Sequence, residues 1–118
     1  MLQHNFRNLK IWQKGLDIVD LVYQFIKGLP SSEKYNLSPQ LVRCACSIPS
    51  NIAEGSGRRT KKDFGHFLSI ALSSAYELET HLIICQRRQY GDNRFIEKLI
   101  QEIQEEQRMI HAYRSKLV

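Results

Sequence analysis

The sequence has few cysteines, few prolines and no long apolar run. Its three cysteines, Cys44, Cys46 and Cys85, are odd in number and fit no disulfide framework, which is typical of a reducing compartment. No apolar stretch approaches the roughly 18 residues that a membrane span needs. The first ten residues, MLQHNFRNLK, lack the apolar core of a secretory signal. We therefore expect a cytoplasmic protein with no membrane association.

Strand-like alternation of apolar and polar residues is also missing over any useful length, and no internal repeat is visible. The 118 residues are 42% hydrophobic and 25% charged, which is typical of one soluble globular domain. We therefore predict a single domain over residues 1–118, built from helices alone.

Acidic residues are the scarcer charge, and the imbalance lies in the first half of the chain. The net charge is +5. Residues 1–62 hold ten Lys or Arg against four Asp or Glu, whereas residues 63–118 hold seven against eight. A basic balance favours anionic partners such as nucleic acid, although an excess of this size also occurs in proteins that bind none.

Four segments show the helical spacing of apolar residues, at steps of three and four. They cover residues 9–29, 38–53, 61–89 and, after a capping Asp92 or Asn93, the chain up to residue 117. The third segment has the most regular row, which alternates steps of four and three as in a bundle seam. This row consists of Phe64, Leu68, Ala71, Ala75, Leu78, Leu82 and Cys85. The pattern predicts an all-α, antiparallel, up-and-down four-helix bundle.

The first segment differs from the others because it carries two adjacent apolar rows. Together they make a wider apolar face than one partner helix can cover. Surplus apolar surface on a small soluble chain indicates an oligomer interface.

Single residues mark the ends and interruptions of these helices. Thr60 followed by Asp63 predicts a capped start for the third helix, and Gly55 is predicted to end the second. Pro49 lies inside the second helix and predicts a kink, because proline lacks the amide donor and clashes with the preceding turn. Glu106 interrupts the apolar row of the fourth helix.

Polar side chains flank the apolar rows of the second and third helices. A hairpin of the second and third helices would bring Arg43 near Glu77, and we predict an ion pair between them, partly shielded from water. With Asn51 and Glu54, these two residues are interpreted as a structural polar set that fixes the pairing of the helices. The alternative, Glu54 and Glu77 as an acid–base couple of an enzyme, lacks a converging nucleophile or metal.

The sequence has no recognisable metal or cofactor motif. Cys44 and Cys46 are two positions apart and therefore point to different faces of a helix. His81 and Cys85 have the four-residue spacing of a ligand pair, but no second pair completes the set. No glycine-rich phosphate loop follows a strand. We therefore predict no metal, no cofactor and no catalytic residue.

Two stretches of the sequence resemble a known family. SIPSNIAEGSGR at residues 47–58 and DFGHFLSIALSSAYELETHL at residues 63–82 are similar to small bacterial proteins of the 23S rRNA intervening-sequence family, also called the S23 ribosomal protein family. The resemblance extends from FRNLKIWQKG to the last helix. It implies a four-helix bundle that assembles as a homopentameric ring. It also implies a relationship to the accessory variability determinant of diversity-generating retroelements, a basic pentamer that associates with reverse transcriptase and nucleic acid.

Arg58, Arg59, Lys61 and Lys62 follow the predicted end of the second helix, and we call these four residues the basic rim. In a ring of chains they would recur around one end and contact phosphates of RNA or DNA without reading sequence. We predict a non-enzymatic protein that binds nucleic acid through this rim. Two alternatives remain open: a scaffold that docks a partner enzyme such as a reverse transcriptase, and a solvated loop whose cations complement a helix dipole.

Overall fold

The computed structural model describes residues 5–117 and contains four α-helices within that range. They are α1 (Lys10–Ile26), α2 (Leu37–Ser56), α3 (Lys61–Arg87) and α4 (Asn93–Lys116), with short 3₁₀ turns at Phe6–Asn8 and Ser31–Glu33. Each helix packs against the next in chain order, and α4 closes the bundle against α1. The prediction of an all-α four-helix bundle is confirmed. The predicted domain also includes residues 1–4 and 118, which lie outside the described residues.

The core lies between the four helices and contains the row predicted for the third helix. All seven residues of that row are fully buried. The row predicted for the second helix, Leu41, Ala45, Ile48 and Ile52, is also fully buried. Over residues 5–117, no helix combines the length and the apolar character that crossing a membrane requires.

Only one of the two apolar rows of α1 is buried in the bundle. The buried row contains Ile11, Ile18, Val22 and Phe25. In the other row, the side chains of Leu16 and Tyr23 remain 39% and 49% exposed. The single chain therefore leaves apolar surface of α1 uncovered, as the sequence predicted.

The end of α2 differs from the prediction. The helix continues past Gly55 to Ser56, and Gly57 is its C-cap. A Cβ atom built on Gly55 would lie 2.6 Å from Phe67 Cβ and 2.9 Å from Phe64 Cδ1. The prediction that Gly55 ends the helix is therefore wrong: a glycine is needed there because α2 and α3 approach each other closely. Pro49 is buried inside α2, and the kink predicted there stays a prediction.

The starts of α3 and α4 follow the predicted capping pattern. Thr60 Oγ1 accepts a hydrogen bond from the Asp63 amide at 3.1 Å, and the Asp92 carboxylate accepts one from the Arg94 amide at 2.9 Å. Each bond satisfies an amide that has no partner within the helix. The caps fix the position at which each turn ends, and the Thr60 cap places Lys61 and Lys62 in the first turn of α3.

Candidate functional site

The predicted polar set lies on α2 and α3, but its contacts differ from the prediction. Cys44 Sγ donates a hydrogen bond to Glu77 Oε1 at 3.2 Å. The ion pairs within 4.0 Å among residues 5–117 join Lys14 to Glu102 and Glu105, and Arg58 to Glu54. The predicted Arg43–Glu77 ion pair is therefore wrong. Cys44, the residue that follows Arg43 on α2, contacts Glu77 instead.

A short chain of hydrogen bonds continues along the same interface. The hydroxyl oxygens of Ser47 and Ser74 lie 2.8 Å apart and connect α2 to α3. Asn51 Nδ2 donates to the Ser47 carbonyl oxygen at 2.8 Å and to Ser47 Oγ at 2.9 Å. Asn51 thus orients the serine that joins the two helices.

These polar side chains surround a cavity of about 210 Å³, which we call the α2–α3 cavity. It is lined by Gln40, Arg43, Cys44, Ser47, Ser74, Glu77 and His81. Burial raises the pKa of the Cys44 thiol to about 12, and the hydrogen bond to Glu77 adds to the shift. Cys44 is therefore a thiol at neutral pH and not a reactive thiolate.

Glu54 lies away from this cavity. Its carboxylate is 3.7 Å from the Arg58 guanidinium. Glu54 is ten residues along α2 from Cys44, roughly 15 Å at the rise of an α-helix. Glu54 and Glu77 contact different partners at different levels of the bundle, so the acid–base couple considered from the sequence has no common site.

The four residues of the basic rim are all exposed, but their surroundings differ. The guanidinium of Arg58 stacks over the Phe67 ring, at 4.6 Å from its centroid, in addition to its ion pair with Glu54. Lys61 and Lys62 lie instead in the first turn of α3, where the helix dipole is positive. Arg59 lies in the turn between α2 and α3.

Lys61 and Lys62 line a pocket of about 510 Å³, which we call the basic pocket. Its other lining residues are Gly65, His66, Ser69, Arg114 and Leu117. A Cβ atom built on Gly65 would meet nothing within 4 Å, so the missing side chain leaves the pocket open. The sequence pattern did not indicate Arg114 or His66 as members of this pocket. The signal for Arg114 was the predicted topology, because the end of α4 lies beside the start of an antiparallel α3.

The fold and these two sites define a small α-helical bundle protein with a polar cavity between two helices and a basic pocket at one end. The family model of the 23S rRNA-intervening sequence protein matches residues 7–112, and the chain belongs to this family. The family recognised in the sequence is thus confirmed.

One solved structure shows how far the fold is shared. It is the 1.70 Å crystal structure of a protein of unknown function from the S23 ribosomal protein family of Bacteroides thetaiotaomicron VPI-5482. The two sequences are 25% identical, and the match covers 89% of this chain and 95% of that chain with a TM-score of 0.82. No curated protein matches the chain.

Proposed function

We propose that this cytoplasmic protein binds nucleic acid, RNA or DNA, through its basic end and catalyses no reaction. The observation that carries the proposal is the basic pocket, where Lys61 and Lys62 of α3 meet Arg114 of α4. Three cations from two helices suit a phosphate group, and the amides at the start of α3 favour an anion as well. Arg58 and Arg59 extend the positive surface into the adjacent turn.

Such a surface favours phosphate contacts over the reading of bases. Lysine and arginine contacts to phosphates hold a duplex or a folded RNA in place but carry no sequence information. The aromatic residue nearest to the rim, Phe67, already stacks with Arg58 and with the edge of His66, at centroid distances of 4.6 and 5.9 Å. We infer weak sequence preference and a steep dependence of affinity on salt.

Fluorescence anisotropy of labelled structured RNA and labelled duplex DNA, measured across a salt series, tests the proposal. A triple variant with Lys61, Lys62 and Arg114 changed to alanine should lose most of its affinity for both. The matched control removes the same charge at the other end of the bundle, by changing Arg87, Arg88 and Arg94 to alanine. This control should bind like the wild type. Equal losses of affinity in the two variants, or no binding by the wild type at low salt, would refute the proposal that nucleic acid binds at the basic end of the bundle.

A second candidate function, a docking scaffold for a partner enzyme such as a reverse transcriptase, is favoured by a different surface. An apolar groove of about 780 Å³ lies between the end of α1 and the start of α2. Its apolar walls include Ile26, Leu29, Pro30, Pro39 and Val42, and its edges carry Lys27, Lys34 and Arg43. A groove of this kind suits an acidic amphipathic segment of a partner protein.

The two functions use different ends of the molecule and can be separated by mutation. Val42→Glu should abolish docking of a reverse transcriptase encoded beside the gene, measured by co-purification, and should leave binding to RNA and DNA unchanged. The variant with Lys61, Lys62 and Arg114 changed to alanine should lose binding to RNA and DNA and should keep the docking of the reverse transcriptase. We also infer a homopentamer, in which the basic end would recur around a ring, and the exposed row of α1 supports an assembly.

A further inference from the structure

We propose that Cys44, Glu77 and His81 form a binding site for a divalent transition-metal ion, with Zn²⁺ as the ion that their chemistry suits best. The thiol sulfur, a carboxylate oxygen and an imidazole nitrogen of these three residues all lie within 4.8 Å of one another. The three side chains line the α2–α3 cavity. The proposal is independent of nucleic-acid binding, since the basic pocket is formed by other residues.

The backbone already places the three donors on facing surfaces. Glu77 and His81 are four residues apart on α3 and therefore project from the same face of that helix. Cys44 reaches this face from α2, with Sγ 3.2 Å from Glu77 Oε1. Around a tetrahedral zinc ion, with bonds of about 2.0 to 2.3 Å, ligand atoms lie roughly 3.3 to 3.8 Å apart. Small rotations of side chains would bring the three donors to that spacing.

The types of donor select the class of metal. A thiolate is a soft ligand and an imidazole is a borderline one, and both disfavour Mg²⁺ and Ca²⁺, which bind oxygen. On binding, Cys44 would release its thiol proton to solvent, and a sulfur–metal bond would replace its hydrogen bond to Glu77. The thiolate and the carboxylate then balance the two positive charges of the ion.

The surroundings provide a fourth position and a rigid frame. The α2–α3 cavity has room for water as a fourth ligand, which is the arrangement of zinc sites with three protein ligands. The hydrogen bond between Ser47 and Ser74 holds α2 and α3 together one turn from the ligands. Arg43 also lines the cavity, and its charge opposes a cation. Its side chain is exposed and can turn towards water.

The sequence did not indicate this set because its members come from two helices. By sequence spacing, Cys46 is a candidate co-ligand of Cys44, and Cys85 is a candidate co-ligand of His81. Both lie elsewhere: Cys46 lines the apolar groove, and Cys85 is buried in the core. Only the register of α2 against α3 brings Cys44 to Glu77 and His81.

Titration with Co²⁺ as a spectroscopic probe, followed by displacement with Zn²⁺, tests the site in the full chain without an affinity tag. We expect one Co²⁺ per chain, the visible absorption of a tetrahedral cobalt site and a thiolate-to-cobalt charge-transfer band. Added Zn²⁺ should abolish these bands. Cys44→Ser should remove the charge-transfer band, and His81→Gln should weaken binding by at least about tenfold, since changes that only misorient a ligand already cost that much.

Matched controls use a cysteine and a histidine outside the site. Cys46→Ser and His66→Gln should bind Co²⁺ like the wild type, and circular dichroism should show equal helix content in all variants. If Cys44→Ser does not fold, His81→Gln decides, because the His81 side chain is only half-buried. The absence of a charge-transfer band in the wild type, or its persistence in the folded Cys44→Ser variant, would overturn the proposal. Its loss in Cys46→Ser would overturn it as well.

Discussion

Gly15 of α1 lies directly against Glu106 of α4. A Cβ atom built on Gly15 would be 3.3 Å from Glu106 Oε2, and equally close to ring atoms of Pro49 on α2. Glu106 is fully buried, and within residues 5–117 neither of its carboxylate oxygens has a hydrogen-bond partner. The residue that interrupts the apolar row of α4 thus points into the core, in the space that Gly15 leaves.

The buried carboxyl should make the stability of the fold depend on pH. Burial raises the pKa of Glu106 from its ordinary value of 4.5 to about 8; Lys14 opposes the shift and Glu105 adds to it. Between these two values the unfolded chain has lost a proton that the folded chain keeps. The free energy of unfolding contributed by Glu106 should therefore fall as the pH rises through this window and become constant above it.

Glu106→Gln should remove this contribution, because glutamine does not titrate. Urea unfolding from about pH 5 to about pH 9 measures the difference between variant and wild type across the window. The exposed neighbour Glu105→Gln is the matched control and should leave most of the pH dependence in place. A pH profile that is the same for Glu106→Gln and the wild type would show that the carboxyl is not held protonated in the core.

Gly55→Ala should destabilise the bundle. The added methyl group would meet Phe67 Cβ at 2.6 Å and Phe64 Cδ1 at 2.9 Å, so α2 and α3 must separate. We expect a loss of about 1 to 3 kcal/mol, as for other overpacked cores. Gly65→Ala is the control, since its Cβ meets nothing within 4 Å, and it should gain up to about 1 kcal/mol in helix propensity. Urea unfolding measures both, and equal stabilities would contradict the close approach of the helices.

The features that the sequence predicted correctly are those set by local spacing. The row from Phe64 to Cys85 is buried because seven apolar residues at steps of four and three lie on one side of a helix, whatever packs against it. The Thr60 cap is also local, since donor and acceptor are three residues apart. Such features need no knowledge of the partner helix.

The features that the sequence missed depend on how one helix meets another. The expected partner of Glu77 was Arg43, but the packing of α2 on α3 places the next residue, Cys44, against Glu77. Gly55 was predicted to end α2 because glycine commonly ends helices. Its close approach to Phe64 and Phe67 of α3 is not visible in the local sequence. Arg114 joined the basic pocket from the far end of the sequence. Helical spacing fixes which residues share a face, but a single sequence does not fix the level at which two faces meet.

Filling the basic pocket should weaken nucleic-acid binding without any change of charge. Gly65→Leu places a side chain where Lys61, Lys62 and Arg114 converge, and it should lower the affinity for structured RNA and duplex DNA in anisotropy measurements at low salt. The control is Ser73→Leu, an exposed position on the same helix outside the pocket, which should bind like the wild type. Unchanged affinity in Gly65→Leu would assign binding to the surface cations alone and exclude the pocket.

The exposed row of α1 should be an assembly surface. Leu16 and Tyr23 are seven residues apart, on the same side of the helix, and remain 39% and 49% exposed in the single chain. Covering them in a ring of identical subunits requires a contact between two different surfaces that closes on itself. If the assembly is the homopentamer that we propose, light scattering should give the wild type about five times the 13.8 kDa mass of the chain. The double variant Leu16→Glu, Tyr23→Glu should have the mass of one chain, because burying two charged carboxylates without partners would destabilise the interface. Tyr35→Glu, at a side chain that is 88% exposed, is the matched control and should keep the assembly. A monomeric wild type, or a double variant that still assembles, would exclude this row as the interface.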